Sequence, residues 1–266
     1  MSSLSINGVD EALKDVLHMM ARAGFGIDED VSVVVDRNLP FMGYTSRQWQ
    51  KHTIVVSGMA VRSGMLKGLL AHELSHVYRN VTEHPSHDEH IIAQLASSFI
   101  SNYKLDADYQ RQILHQVINH VQDLYADDIT MKILATDNGL FDPKQLEGFF
   151  IEWIKKEPVK TDVNKRDRWA NAAIMLSNSF ALSNMQRQNI NDHDRRAKLK
   201  SDAFLSRISR EAAKEFSYFN DFMVGLKDQV TEAEFQQEMK EYLARFFQVV
   251  QNMQVQHSRS GGSGGI

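Results

Sequence analysis

The chain is 266 residues long with a formal net charge of −4, and 42 % of its residues are hydrophobic, which suffices for one large domain or two small ones around a sizeable core. Charged residues make up 24 % and form no block of one sign, so neither a nucleic-acid nor a membrane arm is expected. The absence of cysteine excludes disulfides, a thiol nucleophile, zinc knuckles and thiolate ligands, and leaves His, Asp and Glu to hold any metal.

In chain order, the first element predicted is a helix over residues 9–23, where Leu13, Val16, Leu17 and Met20 share a face and Gly24 stands at the end. His18 falls in the same face and reads as a core histidine. β-branched runs at 31–35 and 51–57 predict two strands. Between them Pro40, Gly43 and the polar stretch 45–50 read as turn, with room for a short strand at 41–44. A small sheet thus precedes the next helix, and 55–59 is the candidate edge at which an extended peptide can add a strand.

Residues 63–80 follow a helical period through Leu66, Leu69, Leu70, Leu74 and Val77, and inside this run stands His72-Glu73-Leu74-Ser75-His76. The next stretch is histidine-rich: Ser86 and Glu89 predict a capping box opening a helix to about Ser101, and His84, His87 and His90 read as a solvated rim. A long helix should then run from near Asp106 to Leu134, about 45 Å. It is apolar through Ile113, Leu114, Val117, Val121 and Leu124, and Asn119, His120, Asp123 and Asp127 form a polar seam on its remaining face.

From Phe141 onward only helices are predicted, near 143–157, 166–188, 194–226 and from Thr231, where Glu234 completes a capping box. The polar stretch 157–165 reads as a linker, and the tail 258–266, SRSGGSGGI, is too rich in Gly and Ser to pack. The fold class expected is therefore α+β, mostly helical. A sheet-bearing part at 1–140 would carry the active-site helices, with an all-helical subdomain at 141–257 packed on it. No basic-then-apolar leader opens the sequence and no apolar run approaches the ~20 residues of a bilayer span, so a cytoplasmic protein without a transmembrane segment is expected.

On a helix, residues four apart stand one turn above each other, so His72 and His76 present two imidazole nitrogens to one cation with Glu73 beside it. Zinc takes neutral imidazole, and with three protein ligands it keeps a position for water, whose proton a neighbouring carboxylate accepts. A third ligand is required. Asp123 ranks first, with His120 and Glu89 as alternatives. Asp127, one turn beyond Asp123, is placed to accept the N–H of a ligating histidine, and Asn119 and His120 to line the site.

The HExxH at 72–76, followed 47 residues past His76 by Asp123-Leu124-Tyr125-Ala126-Asp127, resembles the gluzincin metallopeptidases, in particular those that pair HExxH with an ExxAD motif. The resemblance covers about residues 30–135. It implies a small sheet and two helices framing one zinc, Asp123 as a ligand, and Asp127 supporting a histidine. One departure is that the ligand position holds Asp where the motif has Glu; the shorter side chain requires the second helix to approach the metal about 1.5 Å more closely. Metzincins match less well, because the Gly and third His of their longer motif would fall at Arg79 and Thr82.

By role, the resemblance implies a peptidase acting on a peptide or protein substrate. Zinc would polarise the scissile carbonyl and acidify its water, and Glu73 would accept the proton and return it to the leaving amine. An oxyanion donor is also required, for which Tyr44, His120 and His193 are candidates. The alternative is a non-catalytic zinc-bearing helical protein acting as a regulatory or interaction module. A metal-free helical module would make the HExxH accidental.

Overall fold

A computed structural model of the protein describes residues 6–48, 51–136, 143–159 and 165–255. Its first half contains α1 (Ile6–Arg22), β1 (Val31–Asp36), β2 (Gly43–Gln48), β3 (Lys51–Ser57), α2 (Gly58–Arg62), α3 (Leu66–Val81), α4 (Glu89–Asn102) and α5 (Asp108–Leu134). The second half contains α6 (Pro143–Trp153), α7 (Lys165–Arg187), α8 (Arg196–Leu205), α9 (Arg210–Lys214), α10 (Phe216–Gly225) and α11 (Glu232–Asn252). This is the α+β, mostly helical class that the sequence predicts. No described helix is long and apolar enough to cross a membrane. The predicted tail at 258–266 and most of the predicted linker lie outside the described residues.

Two compact units emerge, one of residues 1–92 with 121–143 and the other of 93–120 with 144–266. The division runs through α4 and α5. The helical unit therefore includes 93–120, which a boundary at 140 assigns to the other part.

The first unit is built on a three-stranded sheet of order β1-β3-β2, with β1 parallel and β2 antiparallel to β3. His52, Ile54 and Val56 of β3 are buried at every second position, the period of a strand with one face in a core. That core also takes Val16 and Met20 of α1, Leu70 and Leu74 of α3, and Ile129 and Ile133 of α5. Gly43 is required at the start of β2: a Cβ there would stand 2.9 Å from the Val55 carbonyl oxygen and 3.3 Å from a Leu69 methyl of α3.

Three expectations are corrected in this unit. His18 is exposed, because it lies about 140° around α1 from Leu13. Thr45 to Gln48, expected as turn, form most of β2, where pairing with β3 overrides their polar character. Residues 55–59 are not an edge: β3 is the central strand, residues from 58 enter α2, and β1 and β2 are the edges.

In the second unit α7 and α11 make the largest contributions to the core, among them Met175, Phe180, Leu243 and Phe246, joined by Phe219 of α10 and Leu114 of α5. The capping box at Thr231 and Glu234 is present. The single helix expected over 194–226 is instead α8, α9 and α10. The break falls at Ile208 and Ser209: Ile208 forms an antiparallel bridge with Val255, and Ser209 donates from its backbone to Gln254 O at 2.7 Å while its hydroxyl caps α9. Arg187 of α7 donates to three carbonyls at the end of α10, those of Met223, Val224 and Leu226, at 3.0–3.1 Å.

Asn178, fully buried in α7, accepts from Lys155 N and donates to Lys155 O, both at 2.8 Å. Asn178→Ala leaves both backbone groups without these partners and should lower stability by about 2–3 kcal/mol in urea unfolding. Thr231→Ala, at an exposed cap, should cost about 1 kcal/mol. A loss at 178 no larger than at 231 would contradict this account.

Candidate metal centre

The repeat of α3 places His72 and His76 one turn apart, and their Nε2 atoms stand 3.1 Å from each other. Asp123 of α5 brings Oδ1 to 3.4 Å from His76 Nε2 and 3.9 Å from His72 Nε2. Ligand atoms of His72, His76 and Asp123 thus all lie within 4.8 Å of one another, and among the described residues this is the one such His/Asp/Glu group. Zinc bonds of about 2.0–2.2 Å directed to the corners of a tetrahedron put ligand atoms about 3.3–3.6 Å apart. The three observed separations straddle that value, so two imidazoles and one carboxylate fit a zinc ion. Asp123 reaches despite its shorter side chain.

Both histidines and the neighbouring Glu73 are oriented by other groups. His72 Nδ1 contacts Asp127 Oδ1 at 2.8 Å, which makes Nδ1–H the donor and turns Nε2 towards His76 and Asp123. Burial by itself would lower the pKa of His72; the adjoining Asp127 carboxylate, with Asp123 and Glu73, outweighs it and raises the value to about 10. Glu73 is buried on the same turn, where Thr45 of β2 donates its hydroxyl hydrogen to Oε2 at 2.8 Å. The edge strand of the sheet thereby contacts the carboxylate next to the two histidines.

His76 has a partner that the sequence did not suggest. α3 ends with Glu83 N bonded to Asn80 O and His84 N to Arg79 O, with Glu83 at φ 52, a left-handed reversal of the Schellman type. The chain turns back, and a short 3-10 helix, Pro85–His87, lies against α3. His84, Ser86 and His87 are buried there, and His87 Nε2 meets His76 Nδ1 at 2.7 Å. Burial, with His76, His84 and Arg79 nearby, pushes His87 well below the ordinary histidine range. The expected solvated rim is therefore wrong for His84 and His87, though His90 is exposed. Nor does Ser86 cap α4; Asp88 does so, accepting from Ile91 N at 2.9 Å.

α3 and α5 are tied beside the site. Arg79 donates from Nε and Nη2 to Tyr125 O, both at 3.1 Å, and Thr130 donates to the Ser75 hydroxyl at 3.0 Å. The rest of the expected seam goes elsewhere. Asn119 is exposed, while His120 is buried in the second unit, its Nε2 3.4 Å from Ser177 Oγ and its ring stacked on Phe180. Glu89 is exposed in the first turn of α4 and joins no such group. Tyr44 is exposed against Phe41, and His193 is bound through N and Nδ1 to Glu147, both at 2.8 Å.

The chain matches the model of a family of unknown function, DUF5781, over residues 14–248, and it belongs to that family. The matched span includes the sheet, the His72, His76 and Asp123 group, and all of the C-terminal helices up to α11 as far as residue 248. No curated protein sequence and no solved structure matches the chain.

The raised pKa of His72 generates a prediction. In the metal-free chain the proton on His72 stabilises the fold; that contribution is complete below about pH 6.5 and is lost as pH rises through about 10. Asp127→Asn removes the main anionic partner, so its stability deficit in urea, with chelator present, should be largest near pH 6 and shrink towards pH 10. Zinc binding at pH 7.5 should release about one proton per chain, read by calorimetry in buffers of different ionisation enthalpy.

Proposed function

We propose that the chain is a zinc-dependent peptidase, with His72, His76 and Asp123 as ligands and Glu73 as general base. The observation that carries this reading is the placement of two imidazole nitrogens and a carboxylate oxygen at tetrahedral spacing beside a buried glutamate on the same helix turn. Structural zinc sites are closed by four protein ligands, whereas a site with three leaves a position open for chemistry. Three ligands are what this group supplies.

When bound, the ion supplies Lewis acidity at a scissile carbonyl and lowers the pKa of a coordinated water. Glu73 takes the proton of the attacking water and delivers it to the leaving amine. Thr45 keeps the Glu73 carboxylate in place by donating to Oε2, leaving Oε1 for proton transfer. Asp127 holds His72 in the tautomer that offers Nε2. The substrate class is an extended peptide, because β2 is a sheet edge and Thr45 within it touches the general base; backbone pairing along that edge would run a peptide past Glu73.

Glu73→Gln keeps the size of the side chain and removes the base. It should lower chelator-sensitive hydrolysis of an unfolded protein substrate by at least about 100-fold while one zinc per chain stays bound. Hydrolysis undiminished in that variant would end this reading, and a variant that no longer binds zinc would show Glu73 to be structural.

A further inference from the structure

We infer that the turn after α3 is a hydrogen-bond relay, His84–Ser86–His87–His76, that holds His76 as the Nδ1–H tautomer and so aims its Nε2 lone pair at the point shared by His72 and Asp123. The inference goes beyond the ligand set proposed above, and the claim that the aimed lone pair serves a cation rests on that reading.

The direction of every hydrogen along the relay follows from its far end. The backbone N–H of Ser86 donates to His84 Nδ1 at 3.3 Å, so that nitrogen carries a lone pair and no hydrogen. Ser86 Oγ lies 2.7 Å from the same nitrogen and must donate its one hydrogen there. The hydroxyl can then only accept at its second contact, 2.8 Å away, so His87 Nδ1 carries the hydrogen and donates it. Both nitrogens of His87 meet neutral partners, Ser86 and His76, and the ring is buried; its Nε2 is therefore the bare nitrogen and accepts from His76 Nδ1–H at 2.7 Å. His76 Nε2 is left with its lone pair, facing His72 Nε2 at 3.1 Å and Asp123 Oδ1 at 3.4 Å.

The turn that supports the relay is held from two helices. Asn80 of α3 donates to His87 O at 3.2 Å, and Gln122 of α5 donates to Ser86 O at 2.9 Å. Arg47 of β2 donates to Asn80 Oδ1 at 2.8 Å and fixes that amide so that its nitrogen faces the turn. His87 and Ser86 are thus positioning residues: they contact neither the ligand point nor Glu73 and act through His76.

Two measurements test the relay on the full chain. Long-range nitrogen–proton correlation NMR of the metal-free protein should find His76 and His87 protonated on Nδ1 and His84 on Nε2, and Ser86→Ala should make the His87 pattern a mixture. Zinc titration should show His87→Leu binding about 10–100-fold more weakly, with His87→Gln, whose Oε1 can still accept from His76, within about threefold of wild type. A proton on Nε2 of His87 in the wild-type spectrum overturns the relay, as does a folded His87→Leu chain that binds zinc as tightly as wild type. The metal reading fails separately: zinc affinity unaltered by Asp123→Ala, or no zinc bound by the wild type, removes the proposed ligand set while the tautomers still decide the relay.

Discussion

Aiming two imidazole nitrogens and a carboxylate at one point is the constraint on which the first unit depends. A histidine ring rotates freely about two bonds, and either of its nitrogens can carry the proton, so two of them on a helix turn do not by themselves make a site. Here each ring is held at its far nitrogen, His72 by Asp127 and His76 by His87, and Glu73 is held by Thr45. The three supports come from a long helix, a reversed turn and an edge strand. Sheet, turn and helix are each needed because each delivers one of them.

The reversed turn shows how local backbone geometry serves that purpose. α3 ends in a motif whose reversal position commonly holds Gly, yet Glu83 stands there at φ 52. The reversal returns the chain against the helix it has just left, and so buries His84, Ser86 and His87 within reach of His76. A helix end pointing into solvent would leave His76 Nδ1 to water, and the ring free to present either nitrogen. Arg79 adds to the same end of α3 by gripping the Tyr125 carbonyl of α5, two residues from both Asp123 and Asp127.

Much of this was legible in the sequence where one periodicity carried the information. The α3 stripe, the i,i+4 histidines, and the four-residue step from Asp123 to Asp127 are properties of a single helix, and α3 and α5 place them as expected. What was not legible depends on pairing between distant segments. The stretch from Thr45 to Gln48 is polar enough for a loop and is a strand paired with β3; the helical stretch from 194 to 226 is interrupted between α8 and α9, where Ile208 bridges to Val255 and Ser209 bonds to Gln254. The His-Pro-Ser-His run reads as solvated on composition, and its burial is a tertiary fact. The polar seam on α5 failed for a related reason: His120, one turn before Asp123, is buried against Phe180 and Ser177 in the other unit.

The two histidines are held by chemically different partners, and the difference bears on the balance of charge. With both rings neutral, Asp123, Asp127 and Glu73 leave three negative charges around the ligand point. The same excess that favours a divalent cation raises the proton affinity of His72, so proton and cation compete for the same nitrogen. Were His76 also held by a carboxylate, a fourth negative charge would sit beside a second basic ring, and a second proton would compete. A neutral imidazole in that place orients His76 without adding charge. The sequence motif cannot express this distinction, because it depends on which nitrogen of His87 carries a hydrogen, and that is set three contacts away by the backbone N–H of Ser86.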